Sequence, residues 1–346
     1  LLVLLLAGFG VRELMRLPVD AVPDITNRQV QINTIAPALG PEEVERQVTF
    51  PLETALAGLP GLTETRSLSR HGFSQITAVF TDATDIYFAR NLVNERLQSA
   101  RQELPEGLSP TTGPVVTGLG EVYIWTVEFT PEITRDGAIY VTPEGERLTT
   151  TLDKATYLRT VQDWIIAPQL RSVKGVAGVD VLGGYVKEYG VHPDPSKLAA
   201  YGVGLVRLVD ALEHANRIAG AGYVSRAGEA YVVRADARLR NMDELAQTPV
   251  LTRNGQIVRV LDVATVEAGR APRLGSASAN GREVVIGTAL MLQGENSREV
   301  AQRVGARLEQ MGPSLPDGIV VRAALDRTDL VATTIQTVEH NLLIGA

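Results

Sequence analysis

The chain contains no cysteine in 346 residues, which excludes a disulfide scaffold, thiolate metal sites and a cysteine nucleophile. Histidine is scarce: His71, His192, His214 and His340 stand singly, each reading first as a loop or surface residue, and no His-Glu-x-x-His zinc helix exists. The GxxxxGK(S/T) phosphate loop, the GxSxG elbow and a GxGxxG after a strand are absent too, so no enzyme signature survives. Aromatic residues are few, 5% with 2 Trp and 6 Phe, which weighs against a pocket lined for organic molecules. Basic charge is also short. The formal net charge is −7 and no basic face or run occurs, an argument against nucleic acid as a partner. The opening apolar run, Leu1–Val11, falls short of the about 20 residues that a membrane-crossing helix requires.

What is present is a mixed α/β pattern with enough length for two or three domains and an ordinary hydrophobic content of 45%. The chain is organised around residues 17–61. Pro18 and Pro23 keep the first part extended, and Arg28–Ile35 alternates, with Val30 and Ile32 on one face and Gln29, Gln31 and Asn33 on the other, as a half-buried strand does. Pro41, Glu42 and Glu43 open a helix whose stripe is Val44, Val48, Leu52 and Leu56. Pro51 inside it predicts a kink or break near Val48. Two strands, 64–69 and 74–80, follow, and Asp85 caps a second helix striped by Ile86, Ala89, Val93, Leu97 and Ala100. Strand, helix, two strands and helix make most of a split βαβ, ferredoxin-like unit.

The glycine-rich crossing 112–120 has no period, and Glu121–Phe129 then reads as a strand with Glu121, Tyr123, Trp125 and Val127 on one face. Glu128 has the opposite parity and cannot share that face without a bulge. A polar loop covers 131–147, helical pattern 151–173, strands 176–184 and 185–192, and one helix runs from Asp194-Pro195 to about Asn216. Asn280-Gly281 marks a hairpin between 276–279 and 283–290, a helix spans 297–311 and a strand 319–323. LPDG at 315–318 repeats LPEG at 104–107 in the same place, after a helix and before an extended segment, so a second α/β unit is expected with the Lys187–Glu267 region inserted in it.

LPVDAVPDITNRQVQINT, PEEVERQVTFPLETALAGLPGL, RSLSRHGFSQITAVF and TDIYFARNLVNERL, together with TGLGE at Thr117–Glu121, GREVVIGTALMLQGENSREV and LPDGIVVRAALDRTDLV, resemble the first periplasmic repeat of the heavy-metal branch of the resistance-nodulation-division exporters, the CusA/CzcA type. The resemblance covers essentially the whole chain. It implies an α+β fold of ferredoxin-like porter subdomains carrying an inserted docking subdomain and flanked by truncated transmembrane helices. The expected division is 1–17, the end of a first membrane helix, for which a signal-peptide core and a buried helix are the alternatives; 18–115, the first porter subdomain; 116–184 with 266–327, the second; 185–265, the docking insert; and 328–346, the entry to a second membrane helix.

The function implied is proton-driven, trimeric export of divalent cations of the zinc, cobalt, nickel and cadmium class. It would run from the inner membrane with a periplasmic adaptor and an outer-membrane channel, without a cofactor and with the metal as substrate. An exporter of organic compounds on the same fold and a membrane-anchored periplasmic binding or assembly module are the alternatives. Glu121 is the candidate metal ligand, because divalent-metal members place a carboxylate at the mouth of that strand; Glu128 is a weaker one, and Asp180 and Asp136 weaker still. Where monovalent-metal members carry a methionine, GRAPRLG at Gly269–Gly275 has Pro272, and Met15, Met242, Met291 and Met311 are dispersed, which favours divalent cargo. AGAGYVSRAGEAYVVR reads by pattern as a surface hairpin; the resemblance makes Gly220, Ala221, Gly222, Tyr223 and Val224 a contact with a neighbouring protomer.

Overall fold

A computed structural model describes residues 26–135, 137–216, 218–226, 229–236, 238–253, 255–273 and 275–328, with Phe9 and positions 333, 337, 340–341 and 344; at 117–119, 218–226 and 229–236 it is the backbone that is described. The two expected membrane-helix ends, 1–17 and 328–346, fall almost wholly outside these residues, as does Asp136. Among the described residues no helix is long and apolar enough to cross a membrane.

The first lobe is built from β1 (Arg28–Ile35), β2 (Leu62–Arg70), β3 (Phe73–Phe80) and β4 (Thr111–Thr112), in the antiparallel order β2-β3-β1-β4. Alternation in β1 is as read: Val30, Ile32 and Thr34 are buried, facing Ile76, Ala78 and Phe80 of the same core. Val44, Val48, Leu52 and Leu56 are fully buried over that face, with Ala89, Val93 and Leu97 from the helix Ile86–Ala100, which Asp85 caps by accepting the Phe88 N–H at 2.8 Å. Truncating one such leucine to alanine costs about 2–5 kcal/mol.

Pro51 does not break its helix. Pro41–Val44 is α-helical, Glu45–Thr49 widens into a π turn, and Phe50–Leu56 resumes as α. The amide of Phe50 reaches the Glu45 carbonyl five residues back. The wider turn makes room for the proline ring and absorbs the missing donor, which is how a helix keeps its course past a proline.

The second lobe follows with β5 (Val116–Phe129), the short hairpin β6 (Tyr140–Val141) and β7 (Arg147–Leu148), then Thr151–Val161, a π turn Gln162–Ile166, Ala167–Arg171 and β8 (Val176–Leu182). The same device recurs: Ala167 N–H donates to the Gln162 carbonyl and Pro168 comes next. After an excursion come β15 (Ala277–Ala279), β16 (Arg282–Leu292), the helix Ser297–Met311 and β17 (Ile319–Asp326). The sheet order is β17-β5-β16-β8, with β15 on β16. Counted within each lobe, both sheets have the order 4-1-3-2, so the ferredoxin-like expectation holds twice. Asn280 (φ 52°) and Gly281 (φ 75°) form the tight turn their sequence announces.

The excursion between β8 and β16 stands where the first lobe has only the turn from Arg70 to Phe73. It comprises β9 (Lys187–Pro193), helices Pro195–Tyr201 and Leu205–Ala215, the hairpin β10 (Ile218–Arg226) and β11 (Glu229–Asp236), helix Met242–Ala246, β12 (Pro249–Arg253), β13 (Gln256–Arg259), helix Val260–Val263 and β14 (Ala264–Arg270). Its core is Val203, Leu208, Val250, Val258, Val260, Val263 and Ala264. The single helix expected from Asp194 to Asn216 is two, because Gly202 adopts a left-handed conformation (φ 65°) and stops the first. The polar loop 131–147 contains the β6–β7 hairpin, and the glycine-rich crossing already joins β5 at Val116.

Two compact units result, 1–136 with 161–182 and 279–346, and 137–160 with 183–278. Residues 137–160 and 266–278, read from sequence with the second porter subdomain, lie in the inserted unit; full antiparallel pairing of β14 with β9 holds Val266–Arg270 there.

Within the second lobe Trp125 is fully buried, opposite Gly287, and its indole Nε1–H donates to Gln162 Oε1 at 2.9 Å. A Cβ on Gly287 would stand 2.3 Å from the indole ring. Gly287→Ala is therefore expected to destabilise the protein by about 1–3 kcal/mol through overpacking, read as a lowered Tm in circular-dichroism melts.

Candidate functional site

Glu121 lies exposed on β5, next to the described backbone of Thr117–Leu119. Its direction is set by a bulge. Ala289 pairs with Tyr123 but Leu290 pairs with Glu121, so one residue of β5 is in excess. Val122 and Tyr123 are accordingly both buried, breaking the alternation. Because Ala289 and Leu290 face opposite ways, Glu121 leaves the face of Tyr123, Trp125 and Val127, where simple parity put it. It joins the face of Ile124, Thr126 and Glu128. The helices cover the other face, where Trp125 meets Gln162 and Tyr123 lies against Gly305.

Asp180 belongs to the same face as Glu121, through the rung Ile124–Thr288–Asp180, and is exposed. Glu128 also shares it, yet seven positions at about 3.3 Å each put it roughly 20 Å from Glu121 along the strand. The two carboxylates cannot close on one ion. Glu128 has another partner: Arg322 Nε donates to its Oε1 at 2.9 Å and Thr126 Oγ1 lies at 3.3 Å, with the carboxylate side chain 15% exposed. Arg322 is far more open, so the pair contributes no more than about 1 kcal/mol. Among the described residues no group of three His, Cys, Asp or Glu side chains is placed to hold a metal ion.

Gly220–Val224 fall on β10, where the register against β11 shifts between Gly220 and Tyr223, giving the expected contact segment an extra residue. His192 stands singly in sequence but meets Glu267 across β9–β14 at 3.2 Å. His214 Nδ1 lies 2.6 Å from the Asp210 carbonyl. Met291 and Met311 are 5% and 2% exposed, packed in the second lobe's core.

A polar cluster that sequence reading missed lies in the inserted unit, between the β6–β7 hairpin, the helix starting at Thr151 and the facing ends of β9 and β14. Thr150 and Asp153 cap that helix reciprocally, Asp153 N–H to Thr150 Oγ1 and Thr150 N–H to Asp153 Oδ2, both at 3.1 Å. Arg270 reaches across from β14 to ion-pair with Asp153 and donates from Nε to Thr156 Oγ1 at 3.0 Å, while Lys187 pairs with Glu146 at 2.6 Å. The Thr-x-x-Asp spacing at 150–153 announces the cap; nothing local announces a partner 117 residues on. A cavity of about 360 Å³ opens among these groups, with Tyr157 in its lining. Tyr157 lies beside Tyr140, ring centroids 5.8 Å apart. Burial and the neighbouring Glu144, Tyr140 and Glu146 push the Tyr157 phenol up, so it stays protonated.

Partial burial opposes ionisation of Asp153, but the Thr150 hydroxyl and amide, Arg270 and the Thr149 amide prevail and hold its carboxyl below the usual aspartate range. A depressed carboxyl adds stability above its unfolded pKa and loses it as pH falls through the folded value. Arg270→Met is thus expected to melt lower than the parent at pH 7, with the difference shrinking as Asp153 is titrated at acid pH, followed by Tm against pH.

The chain matches the AcrB/AcrD/AcrF family over residues 1–346. It is 50% identical to the nickel-cobalt-cadmium resistance protein NccA of Alcaligenes xylosoxydans xylosoxydans, covering 98% of this chain and 33% of that protein. Identity is 47% to the cobalt-zinc-cadmium resistance protein CzcA of Cupriavidus metallidurans, over 99% and 31%, and 35% to the cation efflux system protein CusA of Escherichia coli K12, over 98% and 31%. A crystal structure of a heavy metal efflux pump superposes with a TM-score of 0.83 at 30% identity, covering 98% of this chain and 32% of that one. The chain spans about a third of the length of these relatives. With a family profile matched from first residue to last, the chain belongs to the AcrB/AcrD/AcrF family of transporters.

Proposed function

We propose that the chain is the first periplasmic repeat of a proton-driven exporter of divalent heavy-metal cations, set in the inner membrane and working as a trimer with a periplasmic adaptor and an outer-membrane channel. The observation that carries this reading is the gradient of identity. It is 47–50% to relatives whose names specify nickel, cobalt, cadmium or zinc, and 35% to CusA. Site chemistry agrees with a divalent cargo. There is no cysteine, the thioethers of Met291 and Met311 are enclosed in the core, and the exposed Met242 lies on a helix of the inserted unit, so among the described residues of the second lobe no exposed soft ligand for a monovalent ion accompanies Glu121. Glu121 offers a hard oxygen donor, exposed and turned by the bulge onto the open face of the sheet.

In this reading the chain supplies one wall of a metal path, and Glu121 contributes one ligand of a set completed by other parts of the exporter. Transport proceeds by alternating access, coupled to proton movement on acidic residues elsewhere in the protein. Glu121→Ala in the intact exporter, at equal expression, is expected to lower cellular tolerance to zinc and cobalt severalfold while leaving silver tolerance unchanged. Unaltered zinc and cobalt tolerance would remove Glu121 from the path.

A further inference from the structure

Both basic side chains lining the cavity of the inserted unit are committed to acidic ones, Lys187 to Glu146, and Arg270 to Asp153 and the Thr156 hydroxyl. The lining holds a third carboxylate, Glu144, which has no hydrogen-bond or ion-pair partner among the described residues. Three carboxylates against two cations leave the cavity with a surplus of one negative charge. That surplus sits beside an aromatic ring, since Glu144 is among the groups that keep the Tyr157 hydroxyl protonated. Leu148, 3% exposed, and Ala268 add apolar wall.

A bare metal ion does not suit this place. No three-residue set able to hold one exists among the described residues, and a volume of about 360 Å³ falls at the lower end of the roughly 300–1,000 Å³ typical of small-molecule pockets. An ammonium group does suit it. Its N–H donors match the open lone pairs of Glu144, its charge cancels the surplus, and a short alkyl chain attached to it finds apolar wall in the Tyr157 ring and Leu148. We infer that this cavity binds a small organic monocation, an alkylammonium of a few carbons, with the ammonium at Glu144 and the alkyl chain against Tyr157 and Leu148. The inference stands apart from the metal-export reading, because it involves neither Glu121 nor the open face of the second lobe.

The test is calorimetric titration of the intact protein with n-butylamine at neutral pH, with n-butanol as the uncharged counterpart. Saturable binding of butylamine alone is expected, weakened at least tenfold in Glu144→Gln, retained in Glu144→Asp and Tyr157→Phe, and unchanged in Glu213→Gln. Glu144 is exposed, so its variants should melt with the parent, and circular dichroism verifies this before titration. The inference is overturned by absence of saturable heat from folded protein, by equal binding of butanol, by full affinity in Glu144→Gln, or by displacement of butylamine with equimolar zinc.

Discussion

Everything in the second lobe hangs on the rung where Trp125 faces Gly287. The residue opposite the indole has no side chain, so the ring lies flat on the backbone of the neighbouring strand and its N–H finds Gln162 inside the core. A buried tryptophan with a satisfied nitrogen joins a large apolar contact to a directional one. It fastens β5 to β16, and through β16 to β8. Since the excursion 183–278 departs after β8 and the chain rejoins the sheet through β15 and β16, this rung lies beside the strands between which the excursion begins and ends.

The lobes share more than strand order. Each carries a proline in its first long helix, and each resolves it with a five-residue π turn ending two residues before the proline. Both turns also carry a buried polar side chain to the sheet. Thr49 Oγ1 bonds to the hydroxyls of Ser69 and Ser74, both at 2.8 Å, and Gln162 Oε1 accepts the hydrogen bond of the Trp125 indole N–H. Hydrogen bonds of this kind contribute only about 1 kcal/mol each, yet an unpaired group there costs more. They favour one register of helix on sheet over its neighbours.

Features that depend on a few adjacent residues were legible in the sequence. The alternation of β1, the Asp85 cap and the Asn280-Gly281 turn each rest on local stereochemistry, and the repeated LPEG and LPDG disclosed the doubling of the lobe. Three features were not legible. The bulge at Glu121–Tyr123 is a property of two strands together, so parity counted along β5 alone assigned Glu121 to the wrong face. The helix break at Gly202 was hidden because the apolar pattern runs on through both segments. The ion pair of Asp153 with Arg270 joins residues with no local relation. The candidate site therefore emerged as one exposed carboxylate, Glu121, with a misjudged direction.

The position of the insert has an entropic consequence. Closing a chain between two adjacent strands costs only about 0.6 kcal/mol more for each doubling of its length. Replacing the short turn at Arg70–Phe73 with the whole of 183–278 thus adds roughly 3 kcal/mol even before the insert's own packing offsets it. That sum is comparable to one buried leucine. A hairpin end of this sheet can acquire a module nearly as large as the lobe itself and leave the parent architecture in place.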